Sequence, residues 1–428
     1  MPSAKTRPLR ICMISGEYPP DEGGVADYSA CLVEALAAEG LNVDVLTTRR
    51  PGRAPMPVDH AARRSEAGAA EPQPAPGAAA PGRVSVYRSV RHWHRGALRG
   101  LDRLIDLTGP DLVHLQYQAA AYGMHLSIHG LTWWLGHRRS IPSAVTYHDL
   151  RVPYLFPKAG RMRPWALRQL ARHADLALTT NEADRAELER SVVGPRQALV
   201  PIGSNIADAP PAGYDRARFR GTAGYAEDSL VLAYFGFLND SKGGLTLLEA
   251  LDQLRTAGRD ARLVMIGGAV GASDPTNARY LAGFEAEAAR RGLEDRLRWT
   301  GHLPAEGVSA WLHAADLVCL PYADGASYRR GSLLAALAHG RPVVTTLPAP
   351  AGEGGLPALV DGRAARLVAP GAGPALAAAV GQIADNPDLA ARLGEGAREV
   401  AAAFGWQQIA RRHVELYREI LATNAPSG

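Results

Sequence analysis

Two tandem α/β domains, each a parallel sheet wound with helices, are what this sequence predicts. Short apolar runs alternate with helical patterns along both halves of the chain, the order of βαβ units. The 428 residues exceed what one ordinary core organises. Pro, Gly and Ala cluster between Pro201 and Gly224, where a domain boundary is expected.

In the first half, Leu9–Ser15 reads as a strand, Val25–Glu39 as a helix and Asn42–Thr48 as a strand. Val84–Arg88, Leu112–Gln116, Ala144–Tyr147 and Leu176–Thr180 continue the series of strands. Pro51–Arg83 interrupts it. This stretch is rich in Ala, Pro and Gly with few large apolar residues, so a mobile surface insertion is expected. The second half repeats the pattern. Leu230–Gly236, Ala261–Ile266, Leu297–Thr300, Leu317–Leu320 and Pro342–Thr346 read as strands, with helices over Leu245–Arg255 and Ala278–Arg291. Doubly wound sheets place ligands beyond the C-terminal ends of their strands.

Composition narrows the class. No apolar run reaches the roughly 18 residues that span a bilayer, and Met1–Arg10 is polar, so neither a membrane helix nor a secretory signal is expected. Cys12, Cys31 and Cys319 sit in apolar settings without a disulfide framework or metal spacing, which fits a reducing cytoplasm. The net charge of +4 is uneven: Tyr87–Asp175 holds 13 Arg and Lys against 5 Asp and Glu. There His92, Trp93, His94, Trp133, Trp134 and the Pro153–Lys158 stretch interleave with arginines. Basic residues beside aromatic ones suit a peripheral contact with an anionic membrane, and equally suit solvated helices over core tryptophans. Nucleic acid is not expected, because no recognition motif accompanies the excess.

The most informative motif is Ser327-Tyr328-Arg329-Arg330-Gly331-Ser332, between an apolar strand and a helical run. A Gly-Ser step opening a helix leaves N–H groups unpaired at the positive end of the dipole, a seat for phosphate. Two arginines precede it. Gly236–Gly244 ends the first strand of the second domain and carries Lys242, a counter-charge for a diphosphate. Gly23 and Gly24 follow the first strand and open the next helix. His148 and Asp149 end another strand. There a histidine can hydrogen-bond a sugar hydroxyl or act as acid or base, or the pair can cap a helix. His114 reads as a buried structural histidine and Gln116 as the residue reaching the ligand edge. Gly203-Ser204-Asn205 reads as a hinge. No Asp-x-Asp triplet, Walker loop, metal-ligand spacing or Gly-x-Ser-x-Gly elbow occurs, so no metal site is expected.

In order, these motifs resemble the retaining family 4 glycosyltransferases. The resemblance rests on Tyr18-Pro19-Pro20 with Gly23-Gly24-Val25, Asp111–Gln116, Pro201-Ile202-Gly203, Gly236–Gly243, Thr300-Gly301 and Ala338-His339-Gly340-Arg341-Pro342-Val343-Val344. It implies the GT-B fold: two Rossmann-like doubly wound domains facing a cleft, with a C-terminal helix crossing back to the first. The domains would be residues 1–205 (acceptor side), 206–405 (nucleotide-sugar donor side) and 406–428 (returning helix). Three departures stand out. Phe237 occupies the family's arginine position, while Lys242 is kept. The family's two glutamates fall by register on Ser327 and Ala335. Ser327 retains hydrogen-bonding capacity toward a sugar, Ala335 can only pack, and Arg329 or Arg330 can replace the lost guanidinium.

The resemblance further implies transfer of a sugar from a nucleoside diphosphate with retention of configuration. The donor phosphate assists deprotonation of the acceptor hydroxyl, with no cofactor and no metal. The expected site is Gly23, Gly24, Lys242, Ser327, Arg329, Arg330, Gly331 and Ser332 around the donor, with His148 near the reacting sugar. The acceptor is expected to be a glycan, a lipid-linked molecule or a small molecule. A catalytically idle nucleotide-sugar-binding scaffold and a nucleotide-sugar epimerase remain alternatives at this stage.

Overall fold

The computed structural model describes residues 7–21, 23–49, 81–94, 96–150, 162–268, 275–348 and 356–424. The expected insertion lies, up to residue 80, outside the described residues, as does the Pro153–Lys158 stretch. The chain divides into two compact units, Met1–Ile202 with Trp406–Gly428, and Gly203–Gly405.

The first unit is a seven-stranded parallel sheet in the order β3-β2-β1-β4-β5-β6-β7. Its strands are β1 (Arg10–Ser15), β2 (Asn42–Thr48), β3 (Val84–Val90), β4 (Leu112–Tyr117), β5 (Ser143–Tyr147), β6 (Leu176–Thr179) and β7 (Arg196–Leu199). The helices are α1 (Gly24–Ala38), α2 (Ala97–Thr108), the short α3 (Leu131–Trp134), α4 (Met162–Arg172) and α5 (Glu182–Ser191). β1, β4 and β5 are buried almost end to end. That is why they read as continuous apolar runs, being covered on both faces.

The second unit is a six-stranded parallel sheet in the order β10-β9-β8-β11-β12-β13. It comprises β8 (Leu230–Phe235), β9 (Ala261–Ile266), β10 (Leu297–Trp299), β11 (Leu317–Leu320), β12 (Val343–Thr346) and β13 (Arg366–Val368). With it go α6 (Arg216–Thr222), α7 (Gly244–Thr256), α8 (Pro275–Arg291), α9 (Ala305–Ala314), α10 (Gly331–Ala338), α11 (Gly373–Ala384) and α12 (Pro387–Ala401). Among the described residues no helix is long and apolar enough to cross a membrane.

The last helix, α13 (Trp406–Thr423), belongs to the first unit. It buries Ile409, Ala410, His413, Val414, Leu416, Tyr417 and Ile420, a stripe at helical spacing. These residues join the core formed by α1 and one face of the sheet. Each large apolar side chain buried there contributes on the order of 1.5–3 kcal/mol.

A histidine network lies in this core. His114 is fully buried, with Nδ1 2.6 Å from the Tyr417 hydroxyl and Nε2 2.8 Å from Thr146 Oγ1. His413, 5.7 Å from it ring to ring, donates from Nδ1 to the Ile409 carbonyl. Burial lowers the pKa of His413 to about 4 and that of His148 to about 3, and holds His114 well below its ordinary value. All three are therefore neutral in the native protein, while the unfolded chain takes up protons near pH 6.5. Stability is full above that value and falls as pH drops through 6.5 toward 4, by up to about 1.4 kcal/mol per proton per pH unit. Melting temperature measured from pH 7 to pH 4.5 is expected to fall steeply in the wild type, and less steeply in His413→Gln after correction for its lower starting value.

Candidate functional site

In the second unit, two loops meet at the C-terminal edge of the sheet. One follows β8 and leads into α7; the other follows β11 and leads into α10. Gly243 makes the approach possible. Its φ is +72°, and a Cβ there would lie 1.8 Å from the Pro321 carbonyl oxygen. The Ala323 N–H donates to the Ser241 carbonyl (3.0 Å), completing the stitch.

Tyr322, fully buried, forms the floor. Its hydroxyl is 2.8 Å from Ser332 Oγ, and its carbonyl accepts from Thr346 Oγ1 at 3.0 Å. The Lys242 ammonium lies 5.4 Å and the Arg330 guanidinium 4.8 Å from the ring centroid, within cation–π range. Arg330 also reaches Ser241 Oγ at 3.4 Å and pairs with Asp324. That pair is partly exposed and so contributes about 1 kcal/mol at most; a better anion can displace it. Burial first, and then the charge of Arg330, lower the Lys242 pKa to about 8, with Asp324 opposing. Two cations crowded in this way favour an anion between them.

Arg330 is also the N-cap residue of α10. Its carbonyl accepts from the N–H groups of Leu333 and Leu334, so the first N–H groups, those of Gly331 and Ser332, are left at the positive end of the helix. The structure thus brings together Lys242, Arg330, Gly331 and Ser332. Arg330 contacts the lysine loop through Ser241 Oγ. Arg329 precedes it, its N–H 3.3 Å from Ser327 Oγ, so the Ser327 hydroxyl serves the turn. Ala335 is fully buried inside α10. Phe237 is exposed beside Gly268, whose Cβ would lie 3.1 Å from the ring.

In the first unit, Gly23 caps α1 and Gly24 opens it. A Cβ on Gly23 would lie 2.8 Å from a Glu17 carboxylate oxygen, whereas Gly24 faces open space. Burial and the neighbouring Asp21 raise the pKa of Glu17. Arg88 on β3 donates to the carbonyls of Tyr18 and Pro19 and holds the loop. One cation of the basic region is therefore internal. Trp93 is likewise buried, its Nε1 donating to Thr48 Oγ1 at 2.9 Å. Trp133 is exposed.

Beside this loop lies a pocket of about 460 Å³, lined by Glu17, Asp21, Thr48, Arg91, His92, Tyr122 and His125 among others. Gly16 shapes its wall, since a Cβ there would strike the Ala121 carbonyl at 2.3 Å. His148 lies past the end of β5, its Nε2 3.0 Å from Gln116 Oε1 and its ring edge-on to Tyr28 at 4.6 Å. The amide oxygen accepts, so Nε2 carries the proton and Nδ1 a lone pair. Gln116 is fully buried beneath it and supports His148 instead of reaching the ligand edge.

Sequence reasoning missed Tyr322, Asp324, Ser241 and the residues of the first unit's pocket. Their one signal was position, directly beyond parallel strands. Ring stacking and loop convergence leave no spacing in sequence.

Two units, each built on a parallel sheet, with a phosphate-type seat at a helix N-terminus fit one class, the GT-B glycosyltransferases. Residues 23–203 match the family described as a glycosyl transferase 4-like domain, and residues 229–386 match the glycosyl transferases group 1. The D-inositol 3-phosphate glycosyltransferase of Streptomyces scabiei (strain 87.22) is 28% identical over 440 residues, covering 96% of this chain and 91% of that protein. That of Corynebacterium glutamicum (strain R) is 27% identical, covering 98% and 99%. Among solved structures, sucrose-phosphate synthase from Thermosynechococcus elongatus has a TM-score of 0.70 at 22% identity, covering 97% of this chain and all (100%) of that one. Anabaena HepE in complex with UDP and glucose has a TM-score of 0.67 at 18% identity, covering 96% and 100%. The chain belongs to the family 4 glycosyltransferases.

Gly243→Ala tests the loop convergence. The new Cβ meets backbone and the φ is left-handed, so the variant is expected to lose more than about 1 kcal/mol. A thermal melt should show a drop of at least 2–4 °C for a unit of this size.

Proposed function

We propose that the protein transfers a sugar, with retention of configuration and without a metal, from a nucleoside diphosphate to an acceptor hydroxyl. In this reading a domain of residues 206–405 holds the donor, a domain of residues 1–205 holds the acceptor, and residues 406–428 return to the latter. The observation that carries it is the convergence of Lys242, Arg330 and the Gly331 and Ser332 amides on the Tyr322 ring. They supply fixed positive charge for a leaving diphosphate, the term that dominates such catalysis. Arg330 supplies the guanidinium that Phe237 lacks, and Arg329 supports it electrostatically. Two fixed cations and a helix N-terminus can take over the charge that a metal would otherwise carry.

The donor phosphate accepts the acceptor proton on the same face of the sugar, so the protein's own residues orient and bind. His148, neutral at physiological pH, offers its Nδ1 lone pair to a sugar hydroxyl and is not a general acid. Gly23 and Gly24 let the substrate approach α1, and Ser327 stands near the sugar. The pocket of the first unit is in the size range of small-ligand sites. Glu17, Asp21 and Thr48 suit acceptor hydroxyls, and Arg91, His92 and His125 suit a phosphate carried by the same molecule. The relatives' name, D-inositol 3-phosphate glycosyltransferase, supports a small, hydroxyl-rich acceptor over a polymer. The three free cysteines support a cytoplasmic location. A peripheral membrane contact would use exposed Trp133 and Trp165.

Arg330→Ala and Lys242→Ala are each expected to lower kcat/KM by about 10²–10³-fold, the cost of removing one charge-stabilising donor. Arg330→Lys should recover part of it, and excess EDTA should change nothing. Proton NMR of the product should show the donor's anomeric configuration. The absence of Glu at 327 and 335 favours a second reading, an idle binding protein. Donor binding without turnover, across a panel of phosphorylated polyols and glycans, would select it. Conversion of donor alone to an epimer would select the third.

A further inference from the structure

His339, within the Ala338-His339-Gly340 step, meets two residues far from it in sequence. His313 stands in the last turn of α9, and Asp208 lies in the segment leading to α6. One ligand atom from each of the three lies within 4.8 Å of the others. His313 Nε2 is 2.5 Å from Asp208 Oδ1, and the two histidine rings are 5.4 Å apart.

The protonation of His339 is set by its neighbours. Its Nδ1–H donates to the Ala335 carbonyl at 2.7 Å, leaving a lone pair on Nε2 that meets the Ser309 hydroxyl at 2.9 Å. Ser309 Oγ in turn accepts the Ala209 N–H at 3.1 Å. A histidine whose Nδ1–H is held on a carbonyl keeps its Nε2 lone pair aimed in one direction, as metal-binding histidines do; here a metal would displace the Ser309 hydroxyl from that lone pair. The ring is fully buried, while Asp208 is exposed and provides the entry.

We propose that Asp208, His313 and His339 form a zinc site that ties the start of the second unit to the C-terminal ends of α9 and α10. The donor set, two imidazoles and a carboxylate, suits zinc, with water in the fourth place. Bonds of about 2.0–2.2 Å place neighbouring ligands roughly 3.3–3.5 Å apart. Asp208, which sits on a loop, exchanges its direct 2.5 Å contact with His313 Nε2 for that wider spacing. Ser309 keeps its bond from Ala209 when the metal takes Nε2. Of the nearby cations, Arg216 is held on Asp316 and on the His313 carbonyl, and Arg341 on the carbonyls of Ala315 and Asp316. The site lies at the other end of α10 from Gly331 and Ser332, about 12 Å away at 1.5 Å per residue. At that distance from the charge cluster it leaves sugar transfer independent of metal.

The full-length protein, stripped with EDTA and dialysed, is titrated with zinc chloride by calorimetry and melted with and without zinc. One equivalent should bind and raise the melting temperature by several degrees. Asp208→Asn and His313→Ala, both on partly exposed side chains, should each weaken binding at least tenfold with little change in the metal-free melt. Cobalt should give visible d–d bands of a tetrahedral site in the wild type only. No binding, or one equivalent that persists in both variants, overturns the proposal. So does a loss of transfer on zinc removal without a change in melting, which would place the metal at the chemistry.

Discussion

The candidate site of the second unit depends on one close approach, that of Gly243 to the Pro321 carbonyl. It brings two loops from neighbouring strands together so that Lys242 and Arg330 share the face of a single buried tyrosine. Neither cation would be stable there alone. Burial costs Lys242 part of its charge preference, and the two positive groups repel each other. The Tyr322 ring and Asp324 offset this in the free protein. In the proposed reading a diphosphate would do so more completely, its binding energy directed to the group that leaves.

That arrangement gives a physical account of the departures from the family pattern. With Ala335 packed inside α10 and the Ser327 hydroxyl engaged with its own turn, neither position can act as a carboxylate. Positive charge is concentrated instead on Lys242 and Arg330 over the Tyr322 ring. On the first unit, Glu17 and Asp21 line the pocket together with Arg91, His92 and His125, the mixture of charges that the proposed reading assigns to a hydroxyl-rich, phosphate-bearing acceptor. The neutral histidines beneath, from His148 to His413, keep that face of the core free of charge.

Much of the fold was legible because parallel strands buried on both faces must be apolar throughout. Asn42–Thr48, Ala261–Ile266 and Leu317–Leu320 were read to the residue. The short strands Arg196–Leu199 and Arg366–Val368 were missed; each carries Arg and lies at a sheet edge, so neither forms an apolar run. At the site, Lys242, Arg330 and the Gly331-Ser332 step announced themselves by loop position and glycine. Tyr322 did not, because a tyrosine after a strand looks the same whether it faces core or ligand. The Asp208, His313 and His339 cluster was invisible for a related reason. Its members lie on three separate segments, and only tertiary packing brings them together.

The central claim is that a nucleoside diphosphate closes the charge cluster on Tyr322. Calorimetric titration with uridine, guanosine and adenosine diphosphates in EDTA, at pH 8.5 and in buffers of different ionisation enthalpy, tests it directly. With a Lys242 pKa of about 8, roughly three-quarters of that side chain is neutral before binding. The account predicts uptake of a comparable fraction of a proton on binding, abolished in Lys242→Met. Binding without buffer dependence, or proton uptake unchanged in that variant, would contradict it, as would no binding of any diphosphate to the folded protein.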